Sequence, residues 1–378
     1  MFADYYLPGY KAGGPIRSIQ SIFDGLKEEF NIYLITRDRD IGNTQPYDDV
    51  VTDQWVQFDG VKVMYKLSNQ ISFIFIKEII KDIKPDVIHL NSLMSVRFSL
   101  IPLISIWLQK AFSGDVLLSP RGELSDGALN LKRFQKKIYL HLFTALGLEK
   151  FVRWIASSGG EENDIVQKFG RSNIKITRVD NLPNISQWRK QLKRGSIKNS
   201  NQLKLVFFSR VTRMKNLHYL LSVLKNVDIN IELTIYGPQE DAEYFNVCNK
   251  IAAELPSNIS VEFLGVLLPT DVYHILKEYD LFVLPTLGEN FGQAIWEALA
   301  SSVPVLISNK TPWRDLELHQ VGWDVDLENP EEFRIALTKI YEMSEQNHQH
   351  MRSKCRDFAL DYVANSNSMK SLRDLYTI

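Results

Sequence analysis

The sequence predicts an α/β protein built of two doubly wound, parallel-sheet domains, and three observations predict it. The chain has 378 residues, room for two large domains at roughly 150 residues each. Short β-rich runs alternate with longer helical patterns, as in a parallel sheet covered by helices. The alternation occurs twice, on either side of a polar, basic stretch at 186–204, SQWRKQLKRGSIKNSNQLK.

In the first half, Phe2–Leu7 offers only a short first strand. A helical pattern runs from Pro15 to Phe30, and proline suits a first helical turn. Strands are expected at Asn31–Thr36, Val61–Tyr65, Val87–Leu90 and Val116–Ser119, with a helix over Phe73–Lys84. The apolar run Phe98–Leu108, interrupted by Ser99 and Ser105, falls short of the roughly 18 residues of a membrane span. It reads as a buried helix. In the second half, strands are expected at Leu203–Phe208, Ile231–Tyr236, Val261–Leu264, Leu281–Leu284 and Val303–Ile307. Helices are expected over Leu217–Asn226, Asp271–Glu278 and Ala294–Ser301. The run LKLVFF lacks polar alternation, as befits a strand covered on both faces. Ligands of open parallel sheets bind beyond the carboxyl ends of the strands. A cleft between two such domains is therefore the expected site.

Composition removes several classes. Lys and Arg number 44 against 45 Asp and Glu, a net charge of −1, which argues against a dedicated nucleic-acid binder. Cys248 and Cys355 are the only cysteines, so no disulfide framework is expected, and isolated thiols fit a reducing compartment. The opening MFADYYLPGY lacks a basic segment followed by an apolar core, so no signal peptide is expected. These features point to a cytoplasmic protein.

Chemistry-bearing residues cluster after strands. Past LFVLP lies LGENFGQAIWEALA, with Glu289 at a helix expected to begin near Asn290 and Glu297 further along. Eight residues at 100° each leave two such side chains within about 80° of one helix face. A helix start offers free N–H groups to a phosphate. The pair reads equally as a capping and a solvated glutamate. Past LKLVFF, Arg210, Arg213 and Lys215 stand between a strand end and a helix start. They could clamp a diphosphate, or simply be solvated. Gly13 and Gly14 precede the first helix, where paired glycines let backbone amides approach an anion; an ordinary tight turn reads as well. Arg121, in Ser119-Pro120-Arg121-Gly122-Glu123, and His89, in VIHLNS, end strands and are acceptor-side candidates; an ion pair and a core histidine are their structural readings. Residues 131–153 carry six Lys or Arg and one Glu, with Phe134, Ile138, Leu142 and Phe143 at near-helical spacing. That is either a surface helix or a basic amphipathic helix for an anionic membrane face.

The segment PTLGENFGQAIWEALASSVPV resembles the E-x7-E motif of family 4 retaining glycosyltransferases of the GT-B fold, and departs from it at Asn290 and Ser302, both usually Gly. The turn from Arg210 to Lys215 is similar to the family's G-R-x-x-x-x-K-G element, with Ser209 and Asn216 in place of glycines. Gly13-Gly14, Ala156-Ser157-Ser158 with Glu161, and Leu182-Pro183-Asn184 resemble further family elements, in family order over about residues 5 to 330. Arg121 stands where many members carry a histidine, as in a subgroup linked to bacterial surface polysaccharide assembly. The resemblance implies an acceptor-binding domain at 1–185, a linker at 186–202, and a donor-binding domain at 203–345. A C-terminal helix at 346–378 would pack back on the first domain. It also implies a hexosyltransferase that moves a sugar from a nucleotide diphosphate to a glycan or lipid-linked acceptor, with retention. UDP would be the usual nucleotide and GDP the alternative, with no cofactor and no metal. Glu289 would contact the donor sugar, Glu297 the ribose, and the backbone of Asn290, Phe291 and Gly292 the diphosphate, together with Gly13, Gly14, Arg210 and Lys215. The catalytic group would be Arg210, Lys215 and Glu289. Alternatives from other classes are a nucleotide-sugar epimerase of the same architecture and a non-catalytic, two-lobed sugar or nucleotide binder.

Overall fold

A computed structural model describes residues 1–109, 112–125, 128–129, 133–181, 183, 201–268 and 270–377. The expected linker at 186–202 and the Leu182-Pro183-Asn184 element lie largely outside the described residues. The chain forms two compact units, Met1–Asn184 with Asn367–Ile378, and Ile185–Ser366.

The first unit holds β1 (Tyr33–Arg37), β2 (Trp55–Phe58), β3 (Val61–Lys66), β4 (Val87–Leu90), β5 (Asp115–Leu118), β6 (Arg153–Ala156) and β7 (Lys175–Arg178). They fall in two sets, β1-β3-β2 and β4-β5-β6-β7. All pairs are parallel except β2 with β3. The expected first strand shrinks to one residue: Phe2 bridges in parallel to Ile35 of β1 and Leu90 of β4, and so joins the two sets. Its N–H donates to His89 O at 2.9 Å, and Asn91 N–H donates to its carbonyl at 3.0 Å. Two residues on, the Asp4 carboxylate meets Arg37 Nη2 at 2.8 Å and the pairing stops.

The helix Gly14–Leu26 buries Ile16, Ile19, Phe23 and Leu26. The run Phe98–Leu108 is a π-turn, Val96–Leu100, followed by the helix Ile101–Gln109, with Phe98, Leu103 and Ile106 buried. Among the described residues no helix is long and apolar enough to cross a membrane.

The second unit is one six-stranded parallel sheet: β8 (Leu203–Phe208), β9 (Ile231–Tyr236), β10 (Ile259–Gly265), β11 (Leu281–Leu284), β12 (Val305–Ser308) and β13 (Gly322–Val325). Its order is β10-β9-β8-β11-β12-β13. The chain builds outward from β8 to β10 on one side and from β11 to β13 on the other. The order therefore reverses between β8 and β11, a topological switch point where the strand ends leave a crevice. Gly237, just past β9, permits the close approach there: a Cβ on it would stand 1.8 Å from Ser209 O.

The segment expected at 346–378 to pack on the first unit divides. The helix Glu345–Ala364 belongs to the second unit. Trp296 Nε1 donates to Ala359 O at 3.0 Å, and the buried Arg352 guanidinium donates to Tyr279 O at 2.7 Å and Lys277 O at 2.6 Å. Those carbonyls fix the helix where it lies. Only residues from Asn367 onward join the first unit, where Leu372 and Leu375 pack with Leu26, Leu117, Ile155 and Val179.

Candidate active site

Two loops leave the sheet of the second unit at its switch point. The loop after β8 runs through Arg210 into a short 3-10 turn, Arg213–Lys215, and then the helix Leu217–Leu224. Asn216 joins turn and helix at φ 58°. Among non-glycine residues, Asn tolerates this left-handed geometry best, which accounts for Asn where the resembled motif has Gly. The loop after β11 is stitched to this turn through one carbonyl. Leu287 N–H donates to Met214 O at 2.8 Å, and the buried Thr286 hydroxyl reaches the same oxygen at 3.1 Å. Glu289 N–H donates to Lys310 O at 3.2 Å.

The stitching brings Lys215 and Glu289 together. Lys215 Nζ forms an ion pair with Glu289 Oε1, and the side chains are only 12% and 13% exposed. These two residues, 74 apart in sequence, are the predicted site residues that the fold joins directly. Arg210 lies at the β8 exit, more exposed, with Nη1 3.1 Å from Glu240 Oε2. Arg213 faces Asp241 at 3.6 Å and Glu243 at 3.4 Å, with its guanidinium over the Tyr244 ring.

One sequence expectation is corrected. The helix of the E-x7-E segment starts at Gln293, not near Asn290. Gly292 is its N-cap at φ 79°, left-handed and unable to continue a helix. Glu289 thus lies in the loop, and the shared-face geometry with Glu297 does not apply. Glu297 is inside the helix, 3% exposed, and accepts a hydrogen bond from Gln293 Nε2 at 3.2 Å. Asn290 is exposed. The Phe291 side chain is buried against Trp313 and Tyr362, so only its backbone can face a ligand.

In the first unit Gly13 caps its helix at φ 63°, and a Cβ on Gly13 or Gly14 would meet nothing within 4 Å. That open space adjoins the first turn of the helix. The loop before it is pinned by Asp40, whose carboxylate accepts from Tyr10 N–H at 2.9 Å and Lys11 N–H at 3.1 Å. Arg121 takes φ 58°, and its guanidinium donates to Asn91 Oδ1 at 2.6 Å and Asn181 Oδ1 at 2.9 Å. Its loop hangs on two carboxylates. Glu161 accepts from Gly122 N–H and from the Ser157 N–H and hydroxyl. Glu123 accepts from Leu93 N–H at 2.6 Å and Met94 N–H at 2.9 Å, and burial raises its pKa.

His89 is 1% exposed. Its Nε2 meets the Ser119 hydroxyl at 2.8 Å and its Nδ1 the Tyr376 hydroxyl at 2.5 Å. Burial first, then Arg121, hold its pKa well below the ordinary histidine range. His89 is thus a neutral bridge within the first unit, with both ring nitrogens engaged. Of the supporting carboxylates, Glu161 belongs to the Ala156-Ser157-Ser158 element singled out in the sequence, where Ser158 Oγ accepts from Glu161 N–H at 3.1 Å, whereas Asp40 stands in no such element and Glu123 enters only as the end of the Arg121 turn.

Residues 189–357 match the family model described as Glycosyl transferases group 1. The chain is similar to alpha-monoglucosyldiacylglycerol synthase of Streptococcus pneumoniae, 23% identical over 98% of this chain and 87% of that protein. It is also similar to the Escherichia coli UDP-Gal:alpha-D-GlcNAc-diphosphoundecaprenol alpha-1,3-galactosyltransferase, 24% identical over 54% of each. Among solved structures, Anabaena HepE in complex with UDP-glucose superposes with a TM-score of 0.68 at 15% identity, over 99% of this chain and 96% of that one. That likeness shows the fold, and it is the GT-B fold expected from the sequence. By the match over 189–357 and by these relatives, the chain is similar to group 1 glycosyltransferases.

Proposed function

We propose that the protein transfers a hexose from a UDP-sugar to a lipid-linked or glycan acceptor, with retention at the anomeric carbon, as a family 4 enzyme of surface-polysaccharide assembly. The observation that carries this reading is the Lys215–Glu289 pair at the switch point of the second sheet. It puts a cation beside a carboxylate at the place where a parallel sheet takes a nucleotide. The departing diphosphate gains negative charge as the glycosidic bond breaks, and the sugar passes through an oxocarbenium-like transition state. Arg210, Lys215 and the amides at the start of the helix Gln293–Ala300 stabilise that charge. Glu289 holds the sugar hydroxyls and Glu297 the ribose. In this reading the cationic side chains supply the charge stabilisation of the leaving diphosphate. Arg121, fixed by two asparagines, is the acceptor-side candidate in this reading. UDP is favoured over GDP because the Escherichia coli galactosyltransferase is named for a UDP-Gal donor and HepE was solved with UDP-glucose.

The acceptor reading draws support from relatives named for diacylglycerol and diphosphoundecaprenol substrates. A site of attachment to the cytoplasmic membrane face fits the helix Arg133–Ala145. It contains Arg133, Lys136 and Lys137 and no acid, while Phe134, Ile138 and Leu142 are 76%, 46% and 56% exposed. Phe143, expected with them, is buried and anchors the helix instead. The deciding experiment incubates the protein with radiolabelled UDP-glucose, UDP-galactose, UDP-N-acetylglucosamine and GDP-mannose against diacylglycerol and polyprenyl-diphosphate acceptors. Labelled lipid from a UDP-sugar is expected, with the anomeric configuration kept. Transfer from GDP-mannose alone, or an inverted product, refutes the reading.

A further inference from the structure

The cations after β8 are already engaged in this structure. Arg210 meets Glu240, Arg213 meets Asp241 and Glu243, and Lys215 meets Glu289. Three cations thus face four carboxylates, a net charge of −1 where a diphosphate is proposed to bind. A diphosphate brings two or three further negative charges into that field. It can settle only if carboxylates yield their cations.

The carboxylates differ in their freedom to yield. Asp241 is the N-cap of the helix Ala242–Ala253, accepting from Tyr244 N–H at 2.9 Å, and its position is fixed by the helix. Glu289 is 13% exposed in a loop stitched to the turn. Glu243 is 85% exposed and meets only the outer Arg213. Glu240 precedes the helix, is 39% exposed, and contacts Arg210, which a diphosphate needs. Adjacent β8 and β9 put it there, because their exits lie side by side at Ser209 and Gly237.

We propose that Glu240 is an exchangeable counter-ion. It holds Arg210 extended at the β8 exit, and the incoming diphosphate takes Arg210 over, so Glu240 sets the affinity for the anion. The inference rests on the diphosphate reading above and adds a competitor within the site. It also adds selectivity. A diphosphate reaches Arg210 and Lys215 together and wins the exchange, whereas a single monovalent anion replaces one carboxylate with one charge and gains nothing.

The test is calorimetric titration of the full chain with inorganic pyrophosphate and, separately, with UDP. The proteins are wild type, Glu240→Gln, Glu240→Ala, Arg210→Ala and the Arg210→Ala/Glu240→Gln double variant, at low and high salt. Because a half-exposed ion pair contributes at most about 1 kcal/mol, Glu240→Gln is expected to tighten pyrophosphate about three- to fivefold at low salt. The gain shrinks at high salt and vanishes in the Arg210→Ala background. Glu240→Ala guards against a fold-specific effect of the glutamine and is expected to follow it. Unchanged or weaker binding in both Glu240 variants overturns the proposal. So does equal tightening in the Arg210→Ala background, which would mark a diffuse field rather than exchange at Arg210. If wild type binds UDP no better than pyrophosphate while the Glu240 effect is present, the nucleotide reading fails and the counter-ion stands. Tight UDP binding indifferent to Glu240 gives the reverse.

Discussion

Replacing Lys215 by methionine keeps the length of the side chain and removes its charge. Lys215 sits 12% exposed beside Glu289, shielded enough for an effective dielectric near 20. A unit charge about 4 Å from a phosphate oxygen then contributes roughly 4 kcal/mol of raw Coulomb energy. Desolvation of the ammonium takes part of that, leaving a loss of about 3 kcal/mol, or on the order of 10²- to 10³-fold in rate. Because charge on the leaving diphosphate grows in the transition state, the loss should fall on kcat more than on KM. The variant also strands the Glu289 carboxylate, at a cost of about 1–2 kcal/mol, less than for a fully buried pair. The double variant Lys215→Met/Glu289→Gln separates the effects: its unfolding midpoint recovers and its activity does not. The assay is steady-state transfer with the identified donor, alongside urea unfolding. A Lys215→Met enzyme within about threefold of wild-type kcat/KM, by comparison with the loss worked above, sinks the assignment.

Asn216→Ala, at φ 58°, should lose roughly 1–2 kcal/mol by urea denaturation, and Asn216→Gly should be neutral or stabilising; equal stabilities would show that the left-handed turn is not what selects Asn. Because the folded-state pKa of His89 is depressed, its contribution is present above the unfolded value near 6.5 and lost as pH falls from there toward the folded pKa. Stability should decline by up to about 1.4 kcal/mol per pH unit in that window, and a His89→Asn variant with an undiminished slope would show the titration lies elsewhere. The pair Phe134→Glu/Ile138→Glu, on an exposed stripe, should cut co-sedimentation with phosphatidylglycerol vesicles at least about tenfold and leave the melting temperature within a few degrees; undiminished binding excludes this helix as the contact.

The strands that were legible in the sequence are the ones with buried apolar runs. Leu203–Phe208, Ile231–Tyr236, Leu281–Leu284 and Val87–Leu90 occupy the expected residues. The strands WVQF, RWIA, KITR and GWDV were not legible. Each is four residues long and carries polar or charged groups, too short for periodicity to speak. Gly322 opens the last of them, which reads as a turn. In the fold it is a close approach, since a Cβ there would stand 1.9 Å from Val305 O. The site was half legible. Lys215 and Glu289 follow strand ends and are joined by the fold, because Met214 O binds both loops. Glu289 was misplaced on the helix because a left-handed Gly292 looks, in sequence, like any glycine near a helix start. Where the resembled motifs have Gly, Asn216 and Ser302 take φ 58° and 61°, so the departures keep the glycine's backbone with a different side chain. Glu123 holds the amides of Leu93 and Met94, some thirty residues away, and such a partnership leaves no local mark.

The first unit is assembled from two distant stretches of chain, with residues Ile185–Ser366 between them. During synthesis at roughly 5–20 residues per second, those intervening residues take about 10–40 s to emerge. Through that interval Leu26, Leu117, Ile155 and Val179 lack the cover of Leu372 and Leu375. The second unit can finish folding while the first still shows an open apolar face. A fragment ending near residue 184 would keep that face permanently. Independent production of the first unit therefore requires the helix Ser368–Tyr376 to be supplied together with the strand-bearing piece.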